Sequence, residues 1–198
     1  MPIENTIKEV FSQFELPHVE HWGNFISLGS TTTYSKGTII KEAHQTEKSL
    51  NILVSGIGIS SVWDEKSNTQ KCTDIAFTNY FFLDYHSFIN QQPTPIENLL
   101  LTDSTIFSIP YKAFIKLLDS SPYGDKITRI ITDFHFSNKQ KQQIDLLTKS
   151  SSERLQNLIT KYPEFIHQIP KKIIASYLGI TPQSLSRIIK NSKELNIW

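Results

Sequence analysis

Gln183, Ser184, Arg187 and Lys190 are the residues of this 198-residue chain whose types and spacing could do chemistry. All four side chains can hydrogen-bond, two are cationic, and positions 183 and 187 are four apart, so they share one face of a helix. A helix carrying that face is equipped for the DNA major groove, where an arginine can donate twice to the two acceptors of a guanine. Gln183 and Arg187 are the expected base readers. Thr181 and Ser184 stand at or near the helix N-terminus, where hydroxyls and free N–H groups suit a phosphate, and Lys190 is placed for a phosphate contact further along.

Such a helix needs a support that holds it at a fixed angle. The preceding residues supply one: Ile174, Ala175 and Leu178 recur at helical spacing, and Ala175 is small where a second helix must cross. Gly179 can take positive φ and end that helix, and Ile180 can fold back as an apolar plug. Thr181 followed by Pro182 restarts the helix, and Leu185, Ile188 and Ile189 turn inward. Ala175, Gly179, Leu185 and Ile188 stand in helix-turn-helix spacing. The competing reading is an αα-hairpin packed in some other helical domain.

Charge is distributed to match. Net charge is only +1, but up to Thr148 there are 12 Lys and Arg against 16 Asp and Glu. From Lys149 onward there are 8 against 3, so the basic end carries the helix-turn-helix. One cysteine, Cys72, excludes an internal disulfide framework, and no apolar run reaches membrane-spanning length, so a cytoplasmic protein without membrane contact is expected.

The rest of the chain reads as scaffold. Ile3, Ile7, Val10, Phe11 and Phe14 form a helical stripe over 3–16 that Pro17 ends. Strand character follows at 31–34, 38–41, 50–54, 57–63 and 70–77, with 50–54 and 57–63 read as a hairpin pair, and returns at 99–101 and 105–109. Strands this short and frequent imply an antiparallel sandwich or barrel. The stretch 80–100 reads as irregular and aromatic, and 111–118 as a short helix. A long helix from about 122 to 147 carries Ile127, Ile130, Ile131 and Phe134 as an apolar stripe. A second subunit is the expected cover for these four, and packing on the chain's own β portion is the competitor. Ser150 and Glu153 fit a capping box that opens the next helix.

In this order the chain resembles the Crp/Fnr regulators. IIASYLGITPQSLSRIIK is similar to their recognition motif, TYSKGTII and ILVSGIGIS to their β-roll segments, and KYPEFIHQIPKKIIASYLG to their shorter members. The resemblance implies an α+β chain. Residues 1–121 would form a β-roll of the cyclic-nucleotide-binding type, 122–149 a dimerisation helix, and 150–198 a helix-turn-helix domain. It also implies a homodimer on a palindromic double-stranded DNA site, an effector of unknown identity, and RNA polymerase among the partners. Two departures from the family pattern stand out. The stretch matching the phosphate cassette, FFLDYHSFINQQPTPIENLL, has no glycine and no arginine, so cyclic AMP is not the expected ligand. Only 191–198 follow the recognition helix, leaving little chain for a wing.

Other chemistries find no constellation. Of six histidines only His18 and His21 are near neighbours, so neither a metal nor a cofactor is expected. Asp84 and His86 lack a nucleophile or second carboxylate, and no catalytic role is expected. Phe82, Tyr85 and Phe88 either line an apolar effector pocket or pack the core. Cys72, beside Lys71, is either a redox thiol or a small buried hydrophobe.

Overall fold

The computed structural model describes residues 3–12, 22–164 and 166–191. The end of the first helical stripe at Phe14 and Pro17, the pair His18 and His21, and residues 192–198 lie outside the described residues.

Alternating and β-branched segments build two four-stranded antiparallel sheets. The strands are β1 (Ser30–Tyr34), β2 (Ile39–Lys41), β3 (Ser49–Ser55), β4 (Gly58–Asp64), β5 (Thr69–Ala76), β6 (Tyr80–Phe81), β7 (Ile96–Leu100) and β8 (Ser104–Pro110). One sheet runs β1-β8-β3-β6 and the other β2-β7-β4-β5. The expected antiparallel sandwich is therefore present, but the expected pairing of 50–54 with 57–63 is not. β3 is flanked on both edges by β8 and β6, so β4 has no edge of β3 to join and pairs instead with β5 and β7. Gly56 makes the crossing between sheets. Its φ of +106° favours glycine, and a Cβ there would lie 2.1 Å from Ser104 Oγ.

The helices are α1 (Ile3–Ser12), α2 (Trp22–Ser27), α3 (Tyr85–Asn90), α4 (Tyr111–Ser120), α5 (Gly124–Thr148), α6 (Ser151–Lys161), α7 (Lys171–Tyr177) and α8 (Pro182–Asn191), with a 3-10 turn at Ile166–Gln168. The short α3 lies inside the stretch expected to be irregular. Asp84 explains it, since its carboxylate accepts from Ser87 N at the helix start. No helix among the described residues is long and apolar enough to cross a membrane.

The long helix α5 has two different halves. Ile127, Ile130, Ile131 and Phe134 are only 5%, 3%, 1% and 7% exposed, because they pack with Ile7, Val10, Leu50, Ile52, Phe81 and Phe114 of the same chain. The expectation that these four face a second subunit is therefore corrected. The β portion and the flanking helices α1 and α4 already supply the apolar cover that the stripe needs. Beyond them the helix leaves this core, and Phe136, Ile144 and Leu147 are exposed. Ile131→Ala should cost about 2 to 5 kcal/mol in urea unfolding, as a buried aliphatic deletion does. Lys116→Ala, at an exposed position of α4, should stay within about 0.5 kcal/mol of the parent.

Candidate nucleic-acid interface

Local chemistry builds the α7–α8 pair as its sequence suggests. Gly179 has φ of +69°, Ile180 N donates to Ala175 O at 2.9 Å, and Gly179 N donates to Ser176 O at 3.0 Å. That pair of bonds is a Schellman closure, which satisfies carbonyls that the end of α7 would otherwise strand. Thr181 Oγ1 then accepts from Ser184 N at 3.1 Å and donates to Ser184 Oγ at 3.0 Å. Its hydroxyl is thus committed to starting α8. Ala175, Leu178 and Leu185 are fully buried at the crossing, and Gln183, Ser186, Arg187 and Lys190 form the exposed face. Ser186 is not among the residues that the sequence marks out, and its hydroxyl turns back to Pro182 O at 3.0 Å. Ser184 is half-buried at the edge of the face.

The pair is mounted on the β portion. Leu155, Leu158 and Ile159 of α6 and Ile174, Ala175, Leu178 and Leu185 join Ile57, Ile59, Cys72, Ile75, Phe77 and Leu101 in one apolar cluster. Phe77 and Tyr162 stack with ring centroids 3.7 Å apart, and Cys72 N donates to Ser176 Oγ at 2.8 Å. Arg154 fixes the other side: its guanidinium donates to Lys149 O at 2.5 Å and to Leu178 O at 2.7 Å. One side chain thereby ties the end of α5 to the turn before α8. Nothing in the sequence marks this role beyond Arg154 being one of three arginines. The capping box at Ser150 and Glu153 is present with both of its bonds.

The remaining candidates separate. Cys72 is buried, and burial pushes its thiol up to about 12, so it packs the seam as a neutral hydrophobe. Phe82 and Phe88 are buried in different clusters, while Tyr85 stacks on His135 at 4.6 Å and its hydroxyl meets Thr132 at 2.5 Å. Each of the three is thus used in packing, Phe82 in one cluster and Phe88 with Tyr85 in another. Asp84 is also structural. It pairs with Lys41 at 3.2 Å with both side chains nearly inaccessible, and Thr94 donates to it. His86 is exposed beside Asn90.

A buried polar cluster surrounds that ion pair between the sheets. Glu47 accepts from Asp84 N at 3.2 Å, from Asn98 at 3.4 Å and from Asn51 at 3.4 Å. Burial pushes the Glu47 carboxyl up to about 7, opposed by hydrogen bonds from Asp84 N and Ser49 N and by Lys41. Lys41 reaches this place from β2, far in sequence from the cassette stretch.

Neither a family profile nor a curated protein matches the chain by sequence. Solved structures do match it in three dimensions. FixK2 from Bradyrhizobium japonicum aligns with a TM-score of 0.71 at 12% identity, covering 82% of this chain and 83% of its own. CLP, the c-di-GMP-responsive global regulator of Xanthomonas campestris, aligns with a TM-score of 0.69 at 12% identity, covering 87% and 90%. A protein from Eubacterium rectale assigned to the Crp/Fnr family aligns with a TM-score of 0.70 at 15% identity, covering 92% and 87%. The fold is that of the Crp/Fnr regulators.

The cluster sets a pH signature. The folded pKa of Glu47, about 7, lies above its ordinary 4.5, so stability from this group is full below pH 4.5 and is lost as pH rises toward 7. His135 has the opposite sign. Burial first, and Lys139 second, lower its ring from 6.5 to about 3, so stability is lost as pH falls below 6.5. From pH 4.5 to 6.5 the two slopes oppose each other. Glu47→Gln should leave stability that rises with pH across this window. His135→Phe, which sacrifices no hydrogen bond from the unpartnered Nε2, should leave stability that falls. Urea unfolding at three pH values in the window checks both, with slopes of up to about 1.4 kcal/mol per pH unit.

Proposed function

We propose that this chain is a sequence-specific, DNA-binding transcription regulator that acts as a homodimer. The observation that carries the reading is the exposed Gln183, Arg187 and Lys190 face of α8, set on a capped, glycine-closed helix pair at the basic end of the chain. The Crp/Fnr fold supports the order of parts: β-roll up to about residue 121, connecting helix over 122–149, and DNA-binding helices from 150. Gln183 and Arg187 read base edges, Lys190 contacts phosphate, and Ser184 stands at the edge of the groove-facing surface. Thr181 presents the helix start. The reading assigns no catalytic activity to the chain, and RNA polymerase is its natural further partner.

The second copy covers the outer half of α5. Phe136, Ile144 and Leu147 are exposed, and with Gln140 and Gln143 they fall on one side of the helix at spacings of three and four. Two copies of the same helix related by a two-fold axis can cover each other's stripe. A two-fold pair also presents two copies of α8, matching a palindromic site. Replacing both Phe136 and Leu147 by glutamate should yield a folded monomer by sedimentation, since neither side chain belongs to the core. A dimer that persists places the interface elsewhere.

Arg187→Ala should weaken the cognate duplex by about 1 to 3 kcal/mol and relax preference at one base pair per half-site. Lys190→Ala should weaken all duplexes alike and lower the salt slope. Duplexes selected from a random pool, followed by titration on selected and scrambled duplexes at several salt concentrations, check both. Equal losses on both duplexes for Arg187→Ala would remove α8 from the groove.

A further inference from the structure

One cavity belongs neither to the base-reading face nor to the interior between the sheets. It lies among β5, the second half of α5 and helices α6 and α7, and has a volume of about 370 Å³. Small-ligand pockets typically span about 300 to 1,000 Å³.

Its walls carry an excess of positive charge. Two carboxylates line it, and both are already paired: Asp74 with Lys139 at 3.0 Å and Asp145 with Lys149 at 2.9 Å. Lys141, Arg154 and Lys161 also line it, and none of them forms an ion pair with a described carboxylate. Arg154 spends two nitrogens on Lys149 O and Leu178 O, while its Nε is buried without a partner. Lys161 is exposed as a residue, but its ammonium stands over the Tyr162 ring at 4.9 Å, where partial desolvation lowers its pKa. Tyr162 and Tyr177 add aromatic surface to the same wall. Three unmatched cations beside phenol rings call for an anion with a planar or apolar body.

We propose that this cavity binds a small organic anion, a phosphate or carboxylate group on an aromatic body, and that the ligand biases the setting of the α7–α8 pair. The walls come from three parts of the chain, so a ligand that prefers one arrangement of them shifts α8 toward that arrangement. The Arg154 bridge from Lys149 to Leu178 runs along this wall, which places the cavity next to the turn that aims α8. The coupling rests on the DNA-binding reading above. The site itself does not.

Calorimetric titration of the full chain with 2-naphthyl phosphate and with 2-naphthoate tests the site and distinguishes phosphate from carboxylate, with neutral 2-naphthol as the control. One of the two anions should saturate a single site per chain, naphthol should not, and the doubly substituted Lys141→Ala, Lys161→Ala chain should bind at least about tenfold more weakly. Both lysines are exposed, so the fold survives their loss. No saturable heat from either anion, or unchanged binding by the double variant, overturns the site. The saturating anion should also shift the dissociation constant for selected DNA by about fivefold or more. Binding without that shift overturns the coupling. The titration needs no DNA, so a chain that fails to bind DNA still shows whether the cavity takes the anion.

Discussion

The aim of α8 depends on one apolar seam, the contact of α6, α7 and α8 with the β5 side of the sandwich. Ile57, Ile59, Cys72, Ile75 and Phe77 face Leu155, Leu158, Ile159, Ile174 and Leu185 across it, and all are buried. Burying a single aliphatic side chain is worth about 1.5 to 3 kcal/mol, whereas the hydrogen bond from Cys72 N to Ser176 Oγ contributes about 1 kcal/mol. The seam therefore holds the helix pair, and the hydrogen bond and the Arg154 bridge set its register. A helix pair this small has too little apolar surface to fix its own orientation, and it borrows the face of a sheet to do so.

The interior between the two sheets is filled by the chain itself. Lys41, Asp84, Glu47, Asn51 and Asn98 satisfy one another in a space where burial makes any unpaired polar group costly. A cluster of this kind leaves no open charge for an incoming phosphate. Lys141, Arg154 and Lys161 instead line the joint between α5, α6 and β5, and Arg187 and Lys190 stand on the exposed face of α8. The cationic cavity and the exposed face of α8 thus lie on either side of one turn, at Leu178 to Thr181, with Leu146 of α5 packed 3.3 Å from where a Cβ on Gly179 would stand.

Local elements were legible in the sequence because their causes are local. Gly179, Thr181 and Pro182 dictate the turn through backbone geometry and capping within a few residues, and Ser150 and Glu153 open α6 in the same way. Strands came out near their places since alternation and β-branching persist over each segment. The helix α3 was missed because its start signal is a single Asp84, set among aromatics and followed by two prolines that suggest only loop. Its capping carboxylate also carries the pair with Lys41, 43 residues away in sequence, which no local pattern encodes.

By itself the sequence determined the helix-turn-helix, the exposed side chains that α8 offers, the antiparallel β character and the long connecting helix. Each follows from periodicity, capping and positive φ acting over a handful of neighbours. Only the tertiary structure decided what covers each apolar face. Ile127, Ile130, Ile131 and Phe134 look the same in sequence whether a partner helix or the chain's own core buries them, and the sandwich with α1 and α4 buries them here. It likewise decided that β3 and β4 belong to different sheets, and that Arg154 bridges α5 to the turn before α8. Hydrophobic burial is non-directional, so a stripe states that it must be covered and leaves the covering surface to the fold.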